Sequence, residues 1–351
     1  MPAASSVDRF RRSLLLAAPA LLLGGCNPAS GTPSAEIPAR ILNERLAAED
    51  EPGFLAAFAA RSGAQALGAR MFATLSQSPT EITATSGGRL RVGWSIPGEP
   101  RVNSEAAVDL IDGRIANLTP TTSGTEWLGS PLGSHSSRTL VVAAGTAGHL
   151  SRWSSAAESG MAALARVVPH DRQWAEPVVV LVPDSMTGFA AYAGRSANET
   201  AAVTVVPGLP DSAGVRIVVN PTHAQKSADD RALIAHETVH AWMRSPWLTG
   251  TPGWLLEGIA EAFTAAAYPT VAARNRELAK TAARHTPSTL PAVDQGGESA
   301  YALAQVAVDA MVRHLGWAAV LDEAEARTSG GRTTPDATVL AWYREALDDL
   351  D

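Results

Sequence analysis

Cysteine is almost missing from this chain. Cys26 is the only one in 351 residues, which excludes an intramolecular disulfide. Lysine is nearly as scarce, with Lys226 and Lys280 alone, so the basic side chains are almost all arginine. No basic stripe follows the N-terminus and the formal net charge is −7, which argues against a nucleic-acid partner. After a short apolar run at 14–23 there is no second hydrophobic span, and no internal repeat is visible. What is present suits a globular protein. The hydrophobic share of 46% is enough for a sizeable core, and the length fits two domains better than one.

The first 25 residues read as a targeting segment. Arg9, Arg11 and Arg12 form a basic start, and Leu14 to Leu23 is an apolar run too short for an ordinary membrane-spanning helix. It ends in Leu23-Gly24-Gly25-Cys26, which resembles a bacterial lipobox. The resemblance implies cleavage after Gly25, lipidation of Cys26 and anchoring to the cell membrane on its extracytoplasmic side. Arg11-Arg12-Ser13-Leu14-Leu15 also partly resembles a twin-arginine signal, so the export route stays open between that and the general one. Residues 26–36 are small and polar, as a tether needs to be.

From Ile37 the pattern turns helical, with Ile41, Leu42, Leu46 and then Phe54, Leu55, Phe58 at helical spacing. Another helix is expected over about 64–75. Strands follow at 81–85, 90–96, 106–111 and 114–118, with Asp112-Gly113 as a hairpin turn between the last two. Helices and then a curled antiparallel sheet make residues 37–120 an α+β module. In outline it resembles the nuclear-transport-factor-2 (NTF2) type. Residues 121–137, rich in Thr, Ser, Gly and Pro, are placed as a linker, with Trp127 expected to dock on one of its neighbours. The remaining 138–351 form a second domain. It opens with a strand at 139–143, a helix at about 147–168 and the proline-bounded run Val178 to Val182, a buried strand. A short helix at about 184–192 and strands at 201–207 and 215–220 come next. Either of those two strands can be the sheet edge that pairs with an extended peptide.

The chemistry is concentrated in His236-Glu237-Thr238-Val239-His240 and Trp254-Leu255-Leu256-Glu257-Gly258. Histidines at i and i+4 share one face of a helix, here about 229–244, and two neutral imidazoles can hold one Zn²⁺ from the same side. Glu237 leaves that helix close to the metal, where it can take a proton from water. Pro246, Gly250, Pro252 and Gly253 turn the chain back into a second helix, about 254–268, that returns Glu257 as a third ligand and leaves a position open. Asp229 and Asp230 fit helix capping better than metal binding. His223 can line the cleft or sit at the surface, while His285 and His314 have no partner pattern. Beyond Pro269 the chain is Ala-rich and helical.

These two motifs resemble those of the gluzincin, or peptidase MA-like, zinc metallopeptidases. The likeness is strongest over 233–261 and extends in layout over 139–351. It implies that His236, His240 and Glu257 are zinc ligands for one Zn²⁺ per chain. Glu237 would be general base and then general acid to the leaving amine. Glu261, one turn after Glu257, would support the site from behind the ligands, or is a surface carboxylate. Tyr301 would donate a hydrogen bond to the developing oxyanion, or is a core or capping tyrosine. No Gly-Ala-Met-Glu-Asn-like segment is present, which argues against a typical aminopeptidase. The nearer likeness is to small peptidase-MA-like lipoproteins of actinobacteria. The expectation is therefore an α+β protein acting as a membrane-anchored zinc endopeptidase on peptide or protein substrates. The alternative is a cell-surface binding or scaffold protein that keeps a zinc site without catalysis.

Overall fold

The computed structural model describes residues 34–129, 131–169, 177–193, 200–209, 214–223, 227–283, 287–293 and 297–350. The signal segment, Cys26 and His285 lie outside them. Among the described residues the chain divides into two compact units, one running up to Pro246 and one beginning at Trp247. The fold is α+β, as expected, and no described helix is long and apolar enough to cross a membrane.

The first unit starts with three helices, α1 (Glu36–Ala47), α2 (Glu51–Leu55) and α3 (Ser62–Leu75). Asp50 caps α2 by accepting from the Gly53 N–H at 2.9 Å. A four-stranded antiparallel meander follows: β1 (Glu81–Thr85), β2 (Arg89–Trp94), β3 (Val102–Ile111) and β4 (Arg114–Pro120). Asp112 and Gly113 both take positive φ, 49° and 73°, as the tight turn between β3 and β4 requires. The stretch placed as a linker carries a 3₁₀ turn, Glu126–Leu128, and a strand, β5 (Gly133–Ser136). Trp127 does dock: it is fully buried and its indole N–H donates to Ser104 Oγ at 2.8 Å.

The second sheet has the order β5-β6-β7-β9-β8. Its remaining strands are β6 (Leu140–Ala144), β7 (Val178–Val182), β8 (Ala202–Val205) and β9 (Arg216–Val219). Helices α4 (Ala147–Leu164), α5 (Met186–Ala193) and α6 (Ser227–Trp242) complete the unit. Strand β7 runs parallel to both β6 and β9, while β5 and β8 close the edges antiparallel. The apolar runs are continuous because both faces of this sheet are covered. Val141, Val179, Leu181 and Val218 join Leu42, Phe54, Met71 and Trp94 in one core. The alternate residues Val142, Val180, Ile217 and Val219 join Trp153 and Met161 of α4 and Ile234 of α6 in another. Each such side chain contributes about 1.5–3 kcal/mol of apolar burial. Of the two strands open for the edge, β8 takes it and β9 is interior.

Where the two sheets share a core, a charge is buried with them. Arg216 on β9 is 0% exposed and donates to Glu99 through Nε at 2.6 Å and Nη2 at 2.8 Å. Its Nη1 lies 2.6 Å from Glu126 Oε2. Burial opposes the charge on this guanidinium, but the carboxylates of Glu126 and Glu99 outweigh it and raise its pKa.

The second unit is helical: α7 (Gly253–Ala267), α8 (Pro269–Ala282), α9 (Gly297–Leu315), α10 (Trp317–Ser329) and α11 (Asp336–Asp348). Helix α7 is buried nearly all round, with Trp254, Leu255, Ile259 and Phe263 in the core. Gly258 faces the Ala304 carbonyl of α9 so closely that any Cβ would collide with it. His314 stacks on Trp342, ring centroids 4.4 Å apart, in keeping with a structural role.

Candidate metal centre

Helix α6 is placed by its contacts with α4 and the second sheet. Asp230, in its first turn, is buried and takes a bidentate pair from Arg152 of α4, at 2.7 and 2.8 Å. It is therefore a strut between helices and lies outside the metal-binding group. At Gly160 the two helices come into close contact. A Cβ there would stand 3.0 Å from the Arg231 carbonyl and 3.3 Å from the Ala235 amide nitrogen. Ile234, Ala235 and Val239 face the core, so the adjacent positions of the helix carry the polar residues.

His236 and His240 stand one turn apart, with ring centroids 4.9 Å apart and the planes at 70°. Their Nε2 atoms are 3.2 Å from each other. Two nitrogens each about 2.0–2.1 Å from one tetrahedral cation would be about 3.4 Å apart, so the pair is already near chelating geometry. His240 is buried and its Nδ1 lies 3.1 Å from Ser245 Oγ. That contact suits the tautomer that leaves the Nε2 lone pair for a metal. Ser245 reaches it because Arg244 ends the helix in a left-handed conformation, φ 52°. Glu237 is buried, 8% exposed, and its Oε2 accepts from the Thr204 hydroxyl of β8 at 2.6 Å.

Glu257 lies in the second turn of α7, after Thr251, whose hydroxyl donates to the Ala324 carbonyl at 2.5 Å and ties the start of this helix to α10. One turn on, Glu261 is buried and its Oε2 accepts from Asn275 Nδ2 of α8 at 2.7 Å. Asn275 Nδ2 also donates to Gln305 Oε1 at 2.8 Å, and Gln305 Nε2 donates to Asp309 Oδ2 at 3.2 Å. Glu261 is thus an inward-facing carboxylate, and the residue shown to hold it is an asparagine. Tyr301 sits near the start of α9, half-buried.

Among the described residues, one group of His, Cys, Asp and Glu side chains could hold a metal ion: His236, His240 and Glu257. Each offers one ligand atom, and these atoms all lie within 4.8 Å of one another. Two imidazoles and a carboxylate are a donor set for a divalent cation. Thr204 and Ser245, which hold Glu237 and His240, were not foreseen from the sequence. A scan against protein-family models returns no match, and neither does a search of curated proteins.

Proposed function

We propose that this chain is a zinc metallopeptidase that hydrolyses peptide bonds within peptide or protein substrates. The observation that carries the reading is the convergence of His236, His240 and Glu257, with Glu237 between the two histidines in the same helix. Zinc bound by these three would act as a Lewis acid on the scissile carbonyl and leave a position for water. His236 and His240 would hold it through Nε2, and Ser245 meets the ring of His240 at Nδ1. Glu237 takes the proton of the attacking water on a carboxylate oxygen and returns it to the leaving amine nitrogen. Tyr301 donates a hydrogen bond from its phenol to the oxyanion, and Glu261 supports the helix that carries Glu257. The edge strand β8 offers unpaired backbone groups to an extended peptide. Acyl chains on Cys26 anchor the protein to the membrane and keep the site on its extracytoplasmic side.

The test is Glu237→Gln, assayed on fluorescein-labelled casein with metal content measured in parallel. The variant is expected to keep about one zinc per chain, as one His₂Glu site requires. Its cleavage is expected to fall on the order of a thousandfold. Equal cleavage by variant and wild type would remove Glu237 as the base. Full zinc retention by a His236→Ala/His240→Ala protein would remove the metal site. Zinc bound by a wild-type chain that cleaves nothing would favour the binding or scaffold reading.

A further inference from the structure

The group bound to the Glu237 carboxylate is the Thr204 hydroxyl. At 2.6 Å, the Thr204 Oγ1 contact to Oε2 falls in the range of a charge-assisted O–H···O⁻ bond. The same hydroxyl lies 3.2 Å from the Glu237 carbonyl oxygen, so it sits over both the backbone and the carboxylate of this residue. A carboxylate this buried is costly unless it is hydrogen-bonded, and Thr204 supplies that bond.

Thr204 is also held firmly. It is in register with Ile217 of β9, and its neighbour Val205 is in register with the buried Arg216. Just beyond β8 the chain is tied by three hydrogen bonds to Asn103 of β3 and to Ser123, which follows β4. Ser123 Oγ donates to the Val206 carbonyl at 3.2 Å, Gly208 N–H donates to Ser123 Oγ at 3.1 Å, and Leu209 N–H donates to the Asn103 carbonyl at 2.7 Å. A threonine on a fixed strand has a restricted χ1, so its hydroxyl is a preset donor.

We infer that Thr204 is a positioning residue for Glu237. Its hydroxyl occupies Oε2, leaves the other carboxylate oxygen for the water proton, and stops the side chain from swinging onto the metal as an additional ligand. A carboxylate beside two histidine ligands is itself a competent zinc ligand, and its binding would close the open position. The inference rests on the metallopeptidase reading for its consequence in catalysis, while the restraint on Glu237 is a property of the first unit alone.

The experiment compares wild type, Thr204→Val and Thr204→Ser as full chains, loaded with zinc for kinetics on fluorescein-labelled casein and with cobalt(II) for visible absorption. Valine keeps the shape and β propensity and removes the donor, and serine keeps the donor. Thr204→Val is expected to lower kcat about 10–100-fold with KM within about twofold, as loss of an orienting partner does. Its cobalt(II) d–d bands are expected to move as the coordination changes. Thr204→Ser is expected to match wild type in both. Wild-type kcat and bands in Thr204→Val would overturn the inference, and so would an equal loss in Thr204→Ser. If no protein cleaved casein but the bands moved in Thr204→Val alone, the hydrolytic reading would fall and the restraint on Glu237 would stand.

Discussion

On α6, hydroxyl groups hold side chains of the candidate site: Thr204 holds Glu237 and Ser245 meets His240. On α7 the comparable residues are enclosed in a helix buried nearly all round, where Asn275 reaches Glu261 and Gln305 together. The two helices thus separate two tasks. Thr204 and Ser245 meet side chains of α6 without belonging to the apolar core beneath it. Contacts around α7 satisfy polar groups inside a helical core, where losing one leaves a partner stranded.

Asn275→Ala probes this difference with the largest expected effect. It removes the amide donor from Glu261 Oε2 and Gln305 Oε1, and should lower unfolding stability by about 2–3 kcal/mol. Denaturant unfolding measures it, and an unchanged midpoint would erase the distinction between the helices. Asp309→Asn goes the other way. Burial pushes the Asp309 carboxyl up from 3.8 to about 6, against the pull of the Gln305 hydrogen bond and the Arg313 charge. A raised carboxyl pKa means that the fold disfavours the ionised form. The penalty is absent well below pH 4, grows as pH rises, and is complete above about pH 6. At neutral pH the asparagine variant should therefore be more stable, by on the order of 2 kcal/mol. Its advantage should shrink on acidification through that window, and a constant difference from pH 4 to 7 would contradict the assignment. The smallest effect is expected on the α6 side. If the proposed zinc site is right, Ser245→Ala should weaken zinc binding about tenfold with little change in melting temperature. A drop in thermal stability with unchanged zinc affinity would make Ser245 a structural residue and blur the comparison from the other side.

The pattern of the candidate metal-binding group was legible because it is local. His236 and His240 share a face by helical periodicity alone, and Glu257 was marked by its place in Trp-Leu-x-Glu-Gly. The strands of the second sheet were readable from their apolar runs and proline boundaries. Strand β5 was not, because Gly133-Ser134-His135-Ser136 holds no apolar residue and is fixed by pairing with β6. Thr204 and Ser245 were invisible for another reason. Hydroxyl residues are common, and which carboxylate or ring one meets depends on tertiary packing. Arg216 read as an ordinary strand residue, since Glu99 lies 117 positions away in the chain. The turn at Asp112-Gly113 was the opposite case, where the local backbone demand and the residue types agree.

The buried Arg216 has a consequence for anyone who would trim this protein. Glu99 and Glu126 come from the N-terminal part, while the cation comes from the sheet that carries Thr204 and supports α6. A chain cut to start after that part would have to fold around an uncompensated guanidinium, a cost of about 3–5 kcal/mol for breaking such a pair. That is a large fraction of the stability of most domains. The part of the chain that holds Glu99 and Glu126 therefore cannot be treated as a detachable spacer. It carries the counter-ions for the strand next to Thr204, and the two parts stand or fall as one folding unit.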